Sequence, residues 1–138
     1  MPPSALGVRE RAVLIVEDSE NSAATLEIAF LGIPDLVVRL AASAVEAMRI
    51  LTGGATDVQA IVTDLNMPRM DGFELIRRVR EDQRFSATPI IVVSADTDPA
   101  TPGRIAQLGV DAFFPKPFSP AAVRRKLEQL LNGKNQSH

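Results

Sequence analysis

The chain has 138 residues, of which 46% are apolar and 23% charged, with a formal net charge of -2 at pH 7. That length suits one domain, and that balance fills a hydrophobic core instead of leaving a disordered chain. Mild acidity excludes the basic footprint of a nucleic-acid wrapper, and the lack of cysteine excludes disulfides and thiolate metal sites.

Residues 1–10 read as a lead-in. Ala12–Val16 is a short, largely β-branched apolar run and predicts the first strand. A first helix is predicted over about Asn21–Leu31, with Ala23, Leu26 and Phe30 facing inward. Leu36–Ala41 predicts the second strand. Ser43 and Glu46 then make a capping-box pattern ahead of a helix carrying Ala47, Ile50 and Leu51. Ala60–Thr63 predicts the third strand. Asp71 and Glu74 repeat the start signal for a third helix with Leu75, Ile76 and Val79 on its apolar stripe. Pro89–Val93 predicts the fourth strand.

The fourth helix is the irregular one, because Pro99, Pro102 and Gly103 fall where its first turns belong. Proline inside a helix deletes a hydrogen bond and clashes with the preceding turn, at a cost of about 3 kcal/mol. The pattern predicts a late start, with Thr101 as cap and Pro102 at the first helical position, and an end near Leu108–Gly109. Ala112–Phe114 predicts the fifth strand. Ser119 before Pro120 opens a last helix that buries Val123, Leu127, Leu130 and Leu131 and stops at Asn132–Gly133. The run Arg124-Arg125-Lys126 reads as a solvated helix face, and residues 133–138 as a polar tail.

Five apolar runs alternating with five helical stretches predict an α/β domain over residues 11–132, a doubly wound parallel sheet with helices on both faces. The runs suit strands buried on both faces. In such sheets ligands gather beyond the carboxyl ends of the strands. There the sequence places Glu17 and Asp18 after the first strand, Asp64 after the third, Ser94 after the fourth and Lys116 after the fifth. Crowded carboxylates repel one another unless neutralised, and a hard divalent ion such as Mg²⁺ does so through oxygen ligands. Asp64 and Asp18 are the candidate direct ligands, with Glu17 acting through water. A carboxylate beside a metal can act as nucleophile toward a phosphoryl group. Lys116 would clamp the transferring oxygens and Ser94 would donate its hydroxyl to one.

These residues carry a family resemblance. The pair Glu17-Asp18, the stretch Asp64-Leu-Asn-Met-Pro-Arg-Met-Asp-Gly72, the pair Ser94-Ala95 and the triplet Lys116-Pro117-Phe118 resemble the receiver domain of two-component response regulators over about Arg11–Asn132. The resemblance implies strand order 2-1-3-4-5, as in flavodoxin-like chemotaxis regulators. It implies that Asp64 accepts a phosphoryl group from a histidine on a partner kinase. It further implies Mg²⁺ held by Asp18, Asp64 and the backbone carbonyl of Asn66, and a cis bond between Lys116 and Pro117. Ser94 and Phe113 are the implied switch pair. The implied output is a change in the face built from the fourth helix, fifth strand and fifth helix, read by a downstream protein.

Three positions depart from the commonest pattern of that family: Phe113 where tyrosine is frequent, Pro115 ahead of Lys116, and the Pro99–Gly103 stretch. Asn66 and Asp96 flank the acceptor region as in the faster-hydrolysing members, so a phosphoryl lifetime of about seconds to minutes is inferred from the resemblance. His138 is the one histidine, so the phosphoryl donor is external. An aspartyl-phosphate phosphatase is the enzymatic alternative; it would need a second acid where Asn66 stands. A flavin-binding module is a further one; there Glu17-Asp18 would repel a phosphate. The expectation is a cytoplasmic, non-enzymatic switch that engages neither membrane nor nucleic acid, as a monomer or weak homodimer. It either stands alone or forms the receiver unit of a longer regulator or hybrid kinase.

Overall fold

The computed structural model describes residues 11–54 and 57–135. The lead-in over residues 1–10 and the end of the polar tail, residues 136–138 with His138, lie outside them. The chain alternates strictly: β1 (Arg11–Val16), α1 (Glu20–Ala29), β2 (Leu36–Ala41), α2 (Ala44–Thr52), β3 (Val58–Thr63), α3 (Gly72–Glu81), β4 (Ile90–Ser94), α4 (Thr101–Gln107), β5 (Ala112–Pro115) and α5 (Pro120–Asn135). The strands form one parallel sheet in the order β2-β1-β3-β4-β5.

Strand periodicity divides the core in two. From β1, Ala12, Leu14 and Val16 point into a cluster with Leu51, Leu75, Ile76 and Ile105 of α2, α3 and α4. Val13 and Ile15 point the other way, to Leu26, Phe30, Val123 and Leu127 of α1 and α5. Successive side chains on a strand face opposite sides, so a strand covered on both faces must be apolar throughout. That holds for the inner stretches Ala12–Val16 of β1, Ala60–Val62 of β3 and Ile90–Val93 of β4. It fails for the two edge strands: Val37 and Leu40 of β2 are exposed and β5 is only half-buried. An edge strand has a neighbour on one side only, so its cover is incomplete. A register shift between Ala12 and Val13 against Val58 and Ala60 marks an irregularity at the start of β3.

The caps explain the helix starts, and in four of them the detail differs from the sequence expectation. Ser43 Oγ accepts from the Glu46 N–H at 3.1 Å, and Glu46 Oε1 accepts from the Ala42 N–H at 3.0 Å, which is the predicted reciprocal pattern moved back by one residue. Asp71 Oδ1 accepts from the Glu74 N–H, but Glu74 turns to Arg77 and Arg78 instead of back to the cap. Helix α1 starts a residue early because Ser19 Oγ accepts from the Ser22 N–H. Helix α4 has Ala100 at its cap, with Thr101 and Pro102 its first two residues. Thr101 is not needed as a cap, since Asp98 Oδ1 already accepts from the Ala100 N–H and the Asp98 carbonyl from the Thr101 N–H.

Helix α5 runs to Asn135, past the predicted stop. Gly133 is not among the glycines with positive φ. It stays within the helix, where glycine costs about 1 kcal/mol relative to alanine without ending it. Arg124 is not simply solvated either: its Nη1 donates to the carbonyls of Ala29 at 3.1 Å and Leu31 at 2.6 Å. A cation thus closes the carboxyl end of α1, where unpaired carbonyls attract positive charge.

Candidate functional site

The strand order reverses between β1 and β3, because the chain leaves β1 for β2 on one side and returns to β3 on the other. The crevice beyond those two strand ends is the natural ligand position of such a sheet. Register does the placing. Val16 pairs with Thr63, and the Asp64 N–H donates to the Val16 carbonyl at 3.0 Å, so Glu17 and Asp64 leave the sheet side by side. One carboxylate oxygen from each of Glu17, Asp18 and Asp64 falls within 4.8 Å of the others. Asp18 is exposed, whereas Glu17 and Asp64 are 4% and 6% exposed.

Lys116 enters from the other side. Ser94 pairs with Pro115, and the Lys116 N–H donates to the Ser94 carbonyl at 2.9 Å, which fixes the lysine backbone against the end of β4. The bond from Lys116 to Pro117 is cis. Lys116 Nζ donates to Asp64 Oδ2 at 2.9 Å and lies 2.8 Å from Glu17 Oε1. The second contact is a close ion pair, so a single ammonium serves both buried acids. Glu17 Oε2 accepts from the Ser19 N–H at 3.1 Å. Asp64 Oδ1 accepts from the Leu65 N–H at 2.6 Å and lies 3.4 Å from the Asn66 N.

The electrostatics follow from one cation facing several acids. Burial pushes the Glu17 carboxyl above the usual carboxylate range and outweighs the Lys116 ammonium and the Ser19 N–H, while Asp64 repels it further. Burial pulls Lys116 down, but the carboxylates of Glu17 and Asp64 prevail and hold its pKa above the ordinary lysine value. A cluster of three carboxylates facing one ammonium, with only oxygen donors, fits a hard divalent cation. Thiolate or imidazole chemistry finds no ligand in it.

The turn after β3 is held open by Gly72. Its N–H donates to the Leu65 carbonyl at 2.8 Å, and a Cβ on Gly72 would lie 2.2 Å from the Asp64 carbonyl oxygen. Only a residue without a side chain lets α3 start so close to the acceptor turn. Arg69 in the same turn takes φ 70°. Ser94 is fully buried and its Oγ accepts from the Asp96 N–H at 3.1 Å. Phe113 is partly buried against the α4 side of the core. It lines a cavity of about 190 Å³ with Pro102, Ile105 and Val110.

Two features escaped the sequence reading. Asp96 Oδ1 accepts from the Thr101 hydroxyl at 2.9 Å, which turns this carboxylate toward α4. The Arg80 guanidinium donates to the carbonyls of Leu108, Gly109, Ser86 and Thr88 at 2.8 to 3.1 Å. The second has no local signal, since Arg80 and Gly109 are far apart in sequence and an arginine on a helix reads as surface; the first is close in sequence but carries no recognisable motif.

The family model described as the response regulator receiver domain matches residues 13–128. Chemotaxis protein CheY1 of Helicobacter pylori is 34% identical over 121 residues, covering 86% of this chain and 95% of that protein. The solved structure of chemotaxis protein CheY4 from Vibrio cholerae superposes with a TM-score of 0.78 at 27% identity, covering 88% of this chain and 99% of that one. The signal receiver domain of a signal transduction histidine kinase from Syntrophus aciditrophicus gives 0.81 at 27% identity, over 93% and 95%. With an acid cluster and a lysine at the switch point of a 2-1-3-4-5 sheet, and a family model spanning most of its length, this chain belongs to the response regulator receiver domains of two-component signalling, of the chemotaxis type.

Proposed function

We propose that the domain is a phosphorylation switch in which Asp64 accepts a phosphoryl group from a phosphohistidine of a partner kinase or phosphotransfer protein. The observation that carries this is the Asp64 carboxylate itself. It is buried at the switch point and held by Lys116 on one oxygen and by the Leu65 N–H on the other, within 4.8 Å of two further acids. Asp18, Asp64, Glu17 and the backbone carbonyl of Asn66 would hold Mg²⁺, which supplies positive charge opposite the phosphoryl oxygens.

An Asp64 oxygen attacks phosphorus, the P–O bond forms, the P–N bond to the histidine breaks, and the imidazole leaves with the electron pair. Lys116 moves from carboxylate to phosphoryl oxygen without travelling far, because it already faces Asp64. The Ser94 hydroxyl keeps its proton free to donate, since in the described state it accepts from Asp96. Ser94 and Phe113 then act as the switch pair, and the α4-β5-α5 face is read by a protein partner. Among the described residues no helix is long and apolar enough to cross a membrane. A cytoplasmic place, a monomer or weak homodimer, and no engagement of nucleic acid complete the proposal.

The test is incubation with Mg²⁺ and acetyl phosphate followed by intact-mass measurement. One added phosphoryl group is expected, absent without Mg²⁺ and absent in Asp64→Asn. No adduct, or one that persists in Asp64→Asn, overturns the assignment.

A further inference from the structure

Helix α4 is short, and only Thr101 and Ile105 of its residues are buried. Its two ends are held in different ways. At the carboxyl end, Arg80 of α3 donates to the carbonyls of Leu108 and Gly109 at 3.0 and 2.9 Å, and the same guanidinium reaches the carbonyls of Ser86 and Thr88 before β4. Asp111 lies 3.9 Å from it. A planar, permanently charged fork bonded to four fixed carbonyls makes a rigid anchor. None of these partners belongs to the acid cluster.

The amino end hangs on a chain of polar contacts that begins in the acceptor site. The Asp96 N–H donates to Ser94 Oγ at 3.1 Å. Asp96 Oδ1 accepts from the Asp98 N–H at 2.8 Å and from the Thr101 hydroxyl at 2.9 Å. Thr101 is 1% exposed, so its hydroxyl has no ready water to replace that bond. Pro99 and Pro102 carry no N–H, and the Ala100 and Thr101 N–H groups are spent inside the turn on Asp98, which is itself tied to Asp96.

We infer that Asp96 and Thr101 are positioning residues that couple the Ser94 hydroxyl to the first turn of α4, with Arg80 the fixed pivot at its far end. Resting on the phosphoacceptor reading, this assigns a direction to the switch. When Ser94 turns its hydroxyl to a phosphoryl oxygen, its bond with the Asp96 N–H is disturbed. The amino end of α4 then loosens while the carboxyl end stays in place. The cavity beside Phe113 lies under that moving end, since Pro102 and Ile105 form part of its wall.

The experiment is amide hydrogen exchange by NMR on the full chain, with and without Mg²⁺ and acetyl phosphate, alongside intact mass. In the wild type, phosphorylation is expected to speed exchange at Asp98, Ala100 and Thr101 several-fold and to leave Gly109 to Asp111 within twofold. Thr101→Val keeps the shape and removes the donor. It should show the fast exchange before phosphorylation, with less than a twofold further change, whereas Thr101→Ser should behave as wild type. Ser94→Ala should also speed exchange there without any donor. Unchanged exchange in unphosphorylated Thr101→Val or Ser94→Ala, or loosening centred on Gly109 to Asp111, overturns the inference. A missing mass adduct counts against the phosphoacceptor reading alone, because the comparisons of unphosphorylated variants still decide the coupling.

Discussion

Lys116 is one cation set against the buried carboxylates of Glu17 and Asp64, with exposed Asp18 close by. Removing it leaves buried charges without a partner, which is far costlier than the worth of the pair. Lys116→Met is expected to lower metal-free stability by about 2 kcal/mol, partly restored by millimolar Mg²⁺, as read from urea unfolding with and without the ion. Glu17 should behave in the opposite way. Its carboxyl sits above the usual range because burial disfavours the charge. The folded state therefore holds its proton more tightly than the unfolded chain. Metal-free stability falls as pH rises from the ordinary carboxylate value through the raised one. Glu17→Gln is expected to raise metal-free stability at pH 7 by roughly 1 kcal/mol, to flatten that slope, and to weaken Mg²⁺ binding. Urea unfolding from pH 4 to 8, with a Mg²⁺ titration, checks all three effects. A site less stable than its neutral variant in metal-free buffer is the outcome expected if the acid cluster binds a cation.

At the level of elements, two contacts decide how the helices seat. Gly72 lets α3 start against the Asp64 carbonyl, so Gly72→Ala forces the turn or the helix to shift. The expected loss is about 3 kcal/mol of stability in a urea titration, with a slower gain of mass adduct at Asp64. Arg80 binds α3 to the end of α4 and to the turn before β4. Burial lowers its pKa somewhat, with Asp111 acting against that, yet an arginine stays charged. Arg80→Met leaves several carbonyls short of a donor and is expected to cost about 2 kcal/mol by the same measurement. Its effect should be confined to α4 and β5, so amide exchange in β1 and α1 should stay within twofold of wild type.

Across the whole molecule, the sheet separates two jobs. The α1 and α5 side is closed, with Arg124 tying one helix to the other. The α2 to α4 side carries the short helix, the Phe113 cavity and most of the arginine pairs. On α3, the guanidinium groups of Arg77 and Arg78 hold Glu74 down to about 2. A depressed carboxylate contributes stability that is present above its ordinary value and lost as pH falls through the folded one. Acid unfolding followed by circular dichroism should therefore have a component between pH 4.5 and about 2 that Glu74→Gln diminishes. Solvent screens this exposed group, so the component is small and weakens with added salt.

Much of this protein is written locally. Binary pattern and caps determine the five strands, the five helices and the late start of α4, because each rests on residues a few positions apart. The sequence also shows that Glu17, Asp18, Asp64, Ser94 and Lys116 stand at strand ends, since burial drives the apolar runs inside and leaves the polar residues at their edge. Only the tertiary structure decides what those residues touch. Sheet register sets Glu17 beside Asp64, and pairing of Ser94 with Pro115 brings Lys116 to both acids. The turn of Asp96 toward Thr101, the clamp of Arg80 and the half-exposed edge strands are likewise decided there. A side chain's partner across dozens of residues depends on the packing of whole elements, and periodicity carries no record of it.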